Sequence, residues 1–144
     1  MMEQVLERYA QVIGGGIVTA LSVLIGGWDM PLQILIMLMG CDILSGLFKA
    51  WKEMNFSSRQ FREGLMSKAG FFLVIILSYQ LDLLISQGQP LIRTTCILFY
   101  IGVEGVSLLE NLGAVGVPIP EAIRKHLTSL QPEEEEENDK KEAN

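Results

Sequence analysis

The sequence predicts an all-α integral membrane protein with about four transmembrane helices, a short C-terminal amphipathic helix and a disordered acidic tail. Apolar residues gather in four blocks of about twenty residues, the length that a helix needs to cross a hydrocarbon core of about 30 Å. Segments rich in Gly and Pro interrupt these blocks, and the last fourteen residues are almost all polar. A soluble helical bundle is the alternative, but blocks of this length fit a bilayer better. The predicted spans are about 9–27, 30–51, 68–86 and 91–112, within a membrane domain of 1–130 that includes an amphipathic helix at about 119–130, with the tail at 131–144.

The composition of the chain limits the classes of function that it can have. The chain has 144 residues, enough for one domain, and a formal net charge of −6. The run Glu133–Glu137 and the acids after it supply most of that charge, and no basic patch of the kind that binds nucleic acid is present. No nucleophile–base pair, metal cluster or phosphate-binding loop stands out. We therefore expect neither an enzyme nor a bound metal or cofactor, and no nucleic-acid partner.

The two cysteines both lie in apolar blocks. Cys41 is in the second block and Cys96 is in the fourth. Their number and spacing suit neither a disulfide framework nor a metal site. We expect both to be small buried hydrophobic residues.

The first apolar block carries no charge from Tyr9 to Gly27. A cleaved signal peptide is a rival interpretation, but it is weaker because the chain lacks a strongly basic start. A re-entrant or peripheral helix is a second rival, which would leave three spans. Gly16 and Ala20 form a small-xxx-small pair, which either allows close helix packing or reflects the usual composition of membrane helices.

The second block contains a charged stripe. Gly and Pro residues before it predict a turn, with Trp28 at the membrane boundary and Pro31 in the first helical turn. Asp42, Gly46 and Lys49 then share one helical face. An ionised group at the centre of a membrane helix costs about 2.5–3.5 kcal/mol, so we expect Asp42 to face protein or water.

The connection after the second block holds the densest group of bases. The positive-inside rule therefore predicts that this middle loop is cytoplasmic, and with four spans both termini are cytoplasmic as well. Ser57 and Ser58 are expected to cap a short amphipathic helix that contains Phe61 and Leu65. The bases of this region are Lys49, Lys52, Arg59, Arg62 and Lys68.

The third block begins with a base and ends with an acid. Lys68 is expected to snorkel toward the cytoplasmic interface. Asp82 is either a buried polar site or an ordinary residue near the outer interface, and the interfacial interpretation is slightly favoured. Both residues are assigned to loop and interface positions.

The fourth block has the most small and polar residues. Glu104 lies mid-segment between Gly102 and Gly105. Such a helix suits the inside of a bundle or a water-filled lumen, although Glu104 could instead be buried against a base such as Lys49. The candidate pore-lining or gating residues of the whole chain are Asp42, Gly46, Lys49, Glu104, Ser107 and Glu110.

The segment after the fourth block predicts an amphipathic helix and then a tail. Gly and Pro residues break the chain at 113–120, and Ile119, Ile123, Leu127 and Leu130 then form one apolar stripe. This pattern is typical of a helix on an anionic membrane face, with packing against a partner subunit as the alternative. The tail after Pro132 has almost nothing to bury and is expected to be disordered.

Several polar, small and aromatic residues occur in a characteristic order. The first part is Asp42-x3-Gly46-x2-Lys49-Ala50, followed by Ser57-Ser58, Gly64-x3-Lys68 and Asp82. The more specific part is Phe99-Tyr100-Ile101-x2-Glu104-x2-Ser107-x2-Glu110-Asn111-x4-Gly116-x-Pro118-x-Pro120. Together they resemble the phage-type holins of Gram-positive hosts, a family shared by phage lysis and clostridial toxin export. The resemblance covers roughly 31–130, and Ser45 departs from it where Thr is expected.

The resemblance implies a function that composition does not reveal. Holins accumulate in the bacterial cytoplasmic membrane, form homo-oligomers at a set time and open lesions in the lipid bilayer. A partner endolysin, or a large toxin, then leaves the cell. A small ion channel, an accessory subunit of a transporter and a structural membrane anchor are the alternatives from other classes.

Overall fold

The computed structural model describes residues 2–130, which form five α-helices. These are α1 (Met2–Ile25), α2 (Met30–Lys52), α3 (Ser58–Ile85), α4 (Leu91–Val115) and α5 (Glu121–Thr128). No strand occurs within this part of the chain. The first four helices are long and apolar enough to cross a membrane. The predicted fold class is therefore confirmed, whereas the predicted disordered tail at 131–144 lies outside the described residues.

The turn between α1 and α2 follows from its sequence. Gly26 and Gly27 adopt φ angles of +88° and +103°, a region that other residues seldom enter. Asp29 then accepts a hydrogen bond at Oδ1 from the backbone N–H of Leu32 at 3.3 Å, which satisfies one free donor at the start of α2. Pro31 lies in that first turn, where its missing N–H is not needed.

The third helix differs from the prediction. We expected a separate amphipathic helix near Ser57 and Ser58, but α3 runs without a break from Ser58 to Ile85. No Pro interrupts the segment, and Arg59 forms an ion pair with Glu63 one turn later at 2.8 Å. At 1.5 Å per residue, α3 is roughly 42 Å long, so it exceeds the hydrocarbon core.

The described residues divide into two compact units. One unit comprises 2–33 and 59–97, and the other comprises 34–58 and 98–130, so α2 and α4 each contribute to both. The fully buried apolar side chains of the first unit are Leu32, Ile75 and Ile97. Leu35 is fully buried in the second unit, where Met39, Tyr100 and Ile101 are nearly so.

Helix α1 buries little of its surface against the rest of the first unit. Ile25 is its one buried residue, and apolar side chains on all other faces are exposed. Lipid chains accept such side chains without cost, so this exposure agrees with a membrane-spanning role. The exposed apolar side chains include Val5, Leu6, Tyr9, Val12, Ile13, Ile17, Val18, Leu21, Val23 and Leu24.

Helix α5 packs within its own chain. Leu127 is the half-buried residue of this helix, and its methyl groups lie against Gly105 of α4. Ile123 of the predicted apolar stripe is 48% exposed. Only part of the stripe is therefore used in this intrachain contact, and the binding of the helix to a membrane face or to a partner subunit stays a prediction.

We predict that Gly26→Ala destabilises the protein more than the matched change Gly27→Ala. Both substitutions place a side chain at positive φ, which costs about 1–2 kcal/mol. Only at Gly26 would the new Cβ meet a neighbour, the ring of Tyr79, at 2.5 Å. Overpacking of this kind adds about 1–3 kcal/mol. Thermal unfolding in detergent measures the difference, and equal melting temperatures for the two variants would contradict the packing argument.

Candidate functional site

The polar side chains of the apolar helices form a cluster in each unit. In the first unit, Arg93 of α4 and Asp29 of the α1–α2 turn form an ion pair. In the second unit, Asp42 of α2 pairs with Asn111 of α4. Charges inside membrane segments are rare and are functional candidates by default.

The guanidinium of Arg93 is completely buried, and its bonds hold the α1–α2 turn. Its Nη1 donates to Asp29 Oδ2 at 2.6 Å, and its Nη2 donates to Asp29 Oδ1 at 3.1 Å. Its Nε donates to the carbonyl of Ile25 at 2.5 Å, and Nη2 also donates to that of Gly27 at 3.1 Å. We call this group, Arg93 with Asp29 and the carbonyls of Ile25 and Gly27, the arginine clamp.

The local sequence explains why the clamp forms at this place. The last carbonyls of a helix lack intrahelical partners, and the C-terminal end of α1 carries partial negative charge. Ile25 ends α1, so its carbonyl is available to a cation. The hydrogen bond from Arg93 and the charge of its guanidinium hold the pKa of Asp29 below its ordinary value, against the opposing effect of burial. Asp29 is therefore ionised at neutral pH, and the pair is bidentate.

Asp82 connects the end of α3 to the start of α4. Its Oδ1 accepts from the N–H of Ile92 at 2.9 Å, and its Oδ2 accepts from the N–H of Arg93 at 2.8 Å. Asp82 is completely buried, which agrees with the buried polar site of the two interpretations. Its assignment to an interface position stays a prediction. The first amides of α4 lack intrahelical acceptors, and the buried carboxylate of Asp82 supplies them.

The second cluster contains part of the predicted stripe. Asn111 Nδ2 donates to Asp42 Oδ1 at 3.0 Å. A methyl group on Gly46 would lie 3.7 Å from the same Nδ2, so Gly46 lies beside this pair. Lys52 Nζ donates to the carbonyl of Ala114 at 3.0 Å, near the C-terminal end of α4. A cation at this position is favourable both to the unpaired carbonyls and to the helix dipole.

The remaining predicted residues differ in exposure. Glu104 is 3% exposed, whereas Glu110 is exposed. Lys49, Lys68 and Ser107 are half-buried. The pore-lining or gating role of these side chains stays a prediction.

The cysteines are free thiols, but only one has the expected surroundings. Cys96 is half-buried and lies 3.0 Å from Ser78 Oγ, which also donates to the Val74 carbonyl. Cys41 is exposed on the surface of the chain, so the expectation that it is buried is wrong. In an apolar helix such a thiol can face lipid as readily as protein, since it behaves as a small hydrophobic side chain.

Four residues with clear roles were not singled out from the sequence. Neither Arg93 nor Asp29 is among the candidate residues predicted from the sequence. Asn111 and Lys52 were noted only within longer patterns. A search for opposite charges at helix ends that an up-and-down topology brings together would have found the arginine clamp.

Comparisons with known proteins agree with the geometry. The model of the bacteriophage holin family matches residues 19–132. A probable holin of Bacillus phage phi105 is 34% identical over 109 residues, which cover 76% of this chain and 80% of that protein. An uncharacterized protein of Clostridium perfringens is 37% identical over 112 residues, 78% of this chain and 83% of its own length. No solved structure gives a significant match.

We predict that Arg93→Lys strongly destabilises the protein although the charge is kept. An ammonium group cannot reproduce the planar fork that holds Asp29 and two carbonyls at once. Breaking a fully buried pair costs about 3–5 kcal/mol, but the Asp29 side chain is 40% exposed and the charge is retained, so we expect a cost below that range. Arg59→Lys is the matched control, because the Arg59–Glu63 pair is exposed. If both variants unfold in detergent at the same temperature as the parent, the clamp does not stabilise the fold.

Proposed function

The chain belongs to the bacteriophage holin family, and from this membership we propose that it opens timed lesions in the bacterial cytoplasmic membrane. It is a multi-pass membrane protein whose four long apolar helices fit a bilayer. In the proposal, subunits accumulate, form homo-oligomers and then release a cytoplasmic endolysin, which lyses the host. The observation that carries this proposal is the family match, which begins within α1, covers the other three long helices and includes the pair Asp42–Asn111.

The charges support an orientation for the four helices. The helix ends that flank the α2–α3 connection carry basic residues, among them Lys52 of α2 and Arg59 of α3, whereas Arg93 is not an exposed outer-loop base because it is buried and paired with Asp29. Among the described residues, the α1–α2 turn at 26–29 and the α3–α4 turn at 86–90 therefore contain no base. We propose that the middle loop and both termini are cytoplasmic.

The pair Asp42–Asn111 suggests how the chain can first remain in the membrane without opening a lesion and later line one. Within one subunit the Asn111 amide satisfies a carboxylate oxygen of Asp42. In an oligomer the same face can instead be hydrated, because water also satisfies a carboxylate and removes the desolvation penalty. We therefore propose that the face around the pair lines the lesion, with further polar residues along it: Gly46, Lys49, Glu104, Ser107 and Glu110.

Other functions of such a protein differ in what passes the membrane. Release of a large toxin would use the same lesion with another cargo. A small ion channel, or an accessory subunit of a transporter, would pass only ions or small solutes. A structural anchor would permit no passage at all.

Timed expression tests the proposal directly. The chain is induced in a bacterium that carries a cytoplasmic endolysin without a signal peptide, and membrane potential and culture density are followed together. Sudden loss of potential followed by endolysin-dependent lysis is the expected result. Loss of potential without lysis would support a channel instead. No change in either quantity, with the protein in the membrane, would contradict any lesion.

We predict that Asp42→Leu shifts the onset of lysis or abolishes it. Leucine removes both the charge and the acceptor for Asn111 Nδ2. Asp42→Asn is the matched control, because an amide oxygen keeps an acceptor without the charge. If Asp42→Asn keeps the parental lysis timing, a hydrogen-bond acceptor at position 42 is enough for function. If Asp42→Asn behaves like Asp42→Leu, the charge is required. Parental timing for the Leu variant at normal protein level would refute the role of Asp42.

We also predict that removal of the residues after Pro132 advances lysis. The run Glu133–Glu137 concentrates negative charge, which should repel neighbouring tails and delay assembly. Salt screens this repulsion, so in vitro assembly of the full chain should accelerate with ionic strength. Replacing the five Glu residues with Gln keeps the length of the tail and isolates the charge. Lysis timing is the measurement, and a truncated chain with unaltered timing would disprove the effect.

A further inference from the structure

Helix α5 folds back along the second half of α4. A methyl group on Gly113 would lie 3.5 Å from Ile119 Cδ1, and one on Gly105 would lie 2.7 Å from Leu127 Cδ2. The two contacts are eight residues apart on each segment and run in opposite directions along the chain. The segment 119–128 is therefore antiparallel to α4, with Leu127 resting on Gly105.

The absence of a side chain at Gly105 leaves room for the side chain of Leu127. The glycine is buried, and both methyl groups of Leu127 lie within 2.8 Å of the point that its Cβ would occupy. Any larger residue at position 105 must displace the leucine side chain. No other residue of α5 is buried to the extent of Leu127, and Ile119, just before the helix, is the other half-buried residue that contacts α4.

The docked position conflicts with the charges of α5. Gly105 lies ten residues before the end of α4, which is on the order of 15 Å along the helix axis. The last turns of α5 are thus drawn toward the membrane interior, although Arg124 and Lys125 are exposed and Glu121 begins the helix. Basic side chains are better accommodated by the anionic cytoplasmic face, to which a helix with one apolar stripe can bind. A position on the membrane surface would therefore suit the charges of α5 better than the docked one.

We propose that α5 is an autoinhibitory strap. While Leu127 occupies Gly105, the strap covers this face of α4 and prevents a helix of a second copy from packing there. When α5 moves to the membrane surface, the uncovered glycine allows close approach between helices, and assembly starts. This inference rests on the proposed lesion-forming function, because it assigns the step that delays it.

The test compares Leu127→Ala with Ile123→Ala in the timed lysis assay at matched protein levels. Both changes shorten an apolar residue of α5, but only Leu127 contacts Gly105. We expect Leu127→Ala to shift lysis to earlier times and Ile123→Ala to leave it near the parental time. A variant that merely folds poorly would lyse later or not at all, so an advance is diagnostic. Equal timing of the two variants, or a delay with Leu127→Ala, would overturn the strap.

Gly105→Ala gives a second, independent test. Alone it pushes the Leu127 methyl groups away and should speed tryptic cleavage after Arg124 and Lys125, a readout that does not involve the packing of a second copy on position 105. Combined with Leu127→Ala, which removes those methyl groups, it should add no further increase in the cleavage rate. Additive effects of the two changes would overturn the proposed contact.

A protease assay distinguishes failure of the strap from failure of the proposed function. Trypsin cleaves after Arg124 and Lys125 in inside-out membrane vesicles, and we expect faster cleavage in Leu127→Ala than in Ile123→Ala. Equal cleavage rates would show that Leu127 does not dock α5, whatever the lysis result. If Leu127→Ala is cleaved faster but the chain neither depolarises nor lyses cells, Leu127 does dock α5. The proposed lesion would then be refuted, and with it the inhibitory role of the strap.

Discussion

The structure depends on one constraint, that no charge or backbone polar group stays unsatisfied in apolar surroundings. Arg93 shows this constraint clearly, because its buried guanidinium donates to both oxygens of Asp29 and to the carbonyls of Ile25 and Gly27. These bonds attach the α1–α2 turn to the start of α4. Helix α1 has little other contact with the rest of its unit, so its position depends largely on this clamp.

The same constraint explains the other polar contacts. Asp82 supplies acceptors for the first amides of α4, and Lys52 supplies a donor for a carbonyl near its end. In the second unit, Asn111 donates a hydrogen bond to the carboxylate of Asp42. Under the proposed function, this pair would keep the charge of Asp42 satisfied within one subunit before assembly and would be hydrated once subunits assemble.

Much of the fold could be predicted because bilayer thickness and helix geometry act locally. The four apolar blocks and the Gly and Pro turns follow from short stretches of sequence, as does the charged stripe that contains Asp42. The partners could not be predicted in this way, because Arg93 and Asp29 are 64 positions apart and Asn111 and Asp42 are 69 apart. The burial of Asp82 and the docking of Leu127 on Gly105 likewise depend on which helix ends and faces meet. A hydrophobic pattern does not contain that information.

The most direct test of the central claim is the size of what the assembled protein releases. Purified full-length chain is reconstituted into vesicles of anionic lipid that enclose a small dye together with a folded fluorescent protein. The account predicts that both leave the vesicles, and that both stay when the chain is omitted. Escape of the dye with complete retention of the folded protein would contradict a lesion wide enough for an endolysin and would indicate a small channel.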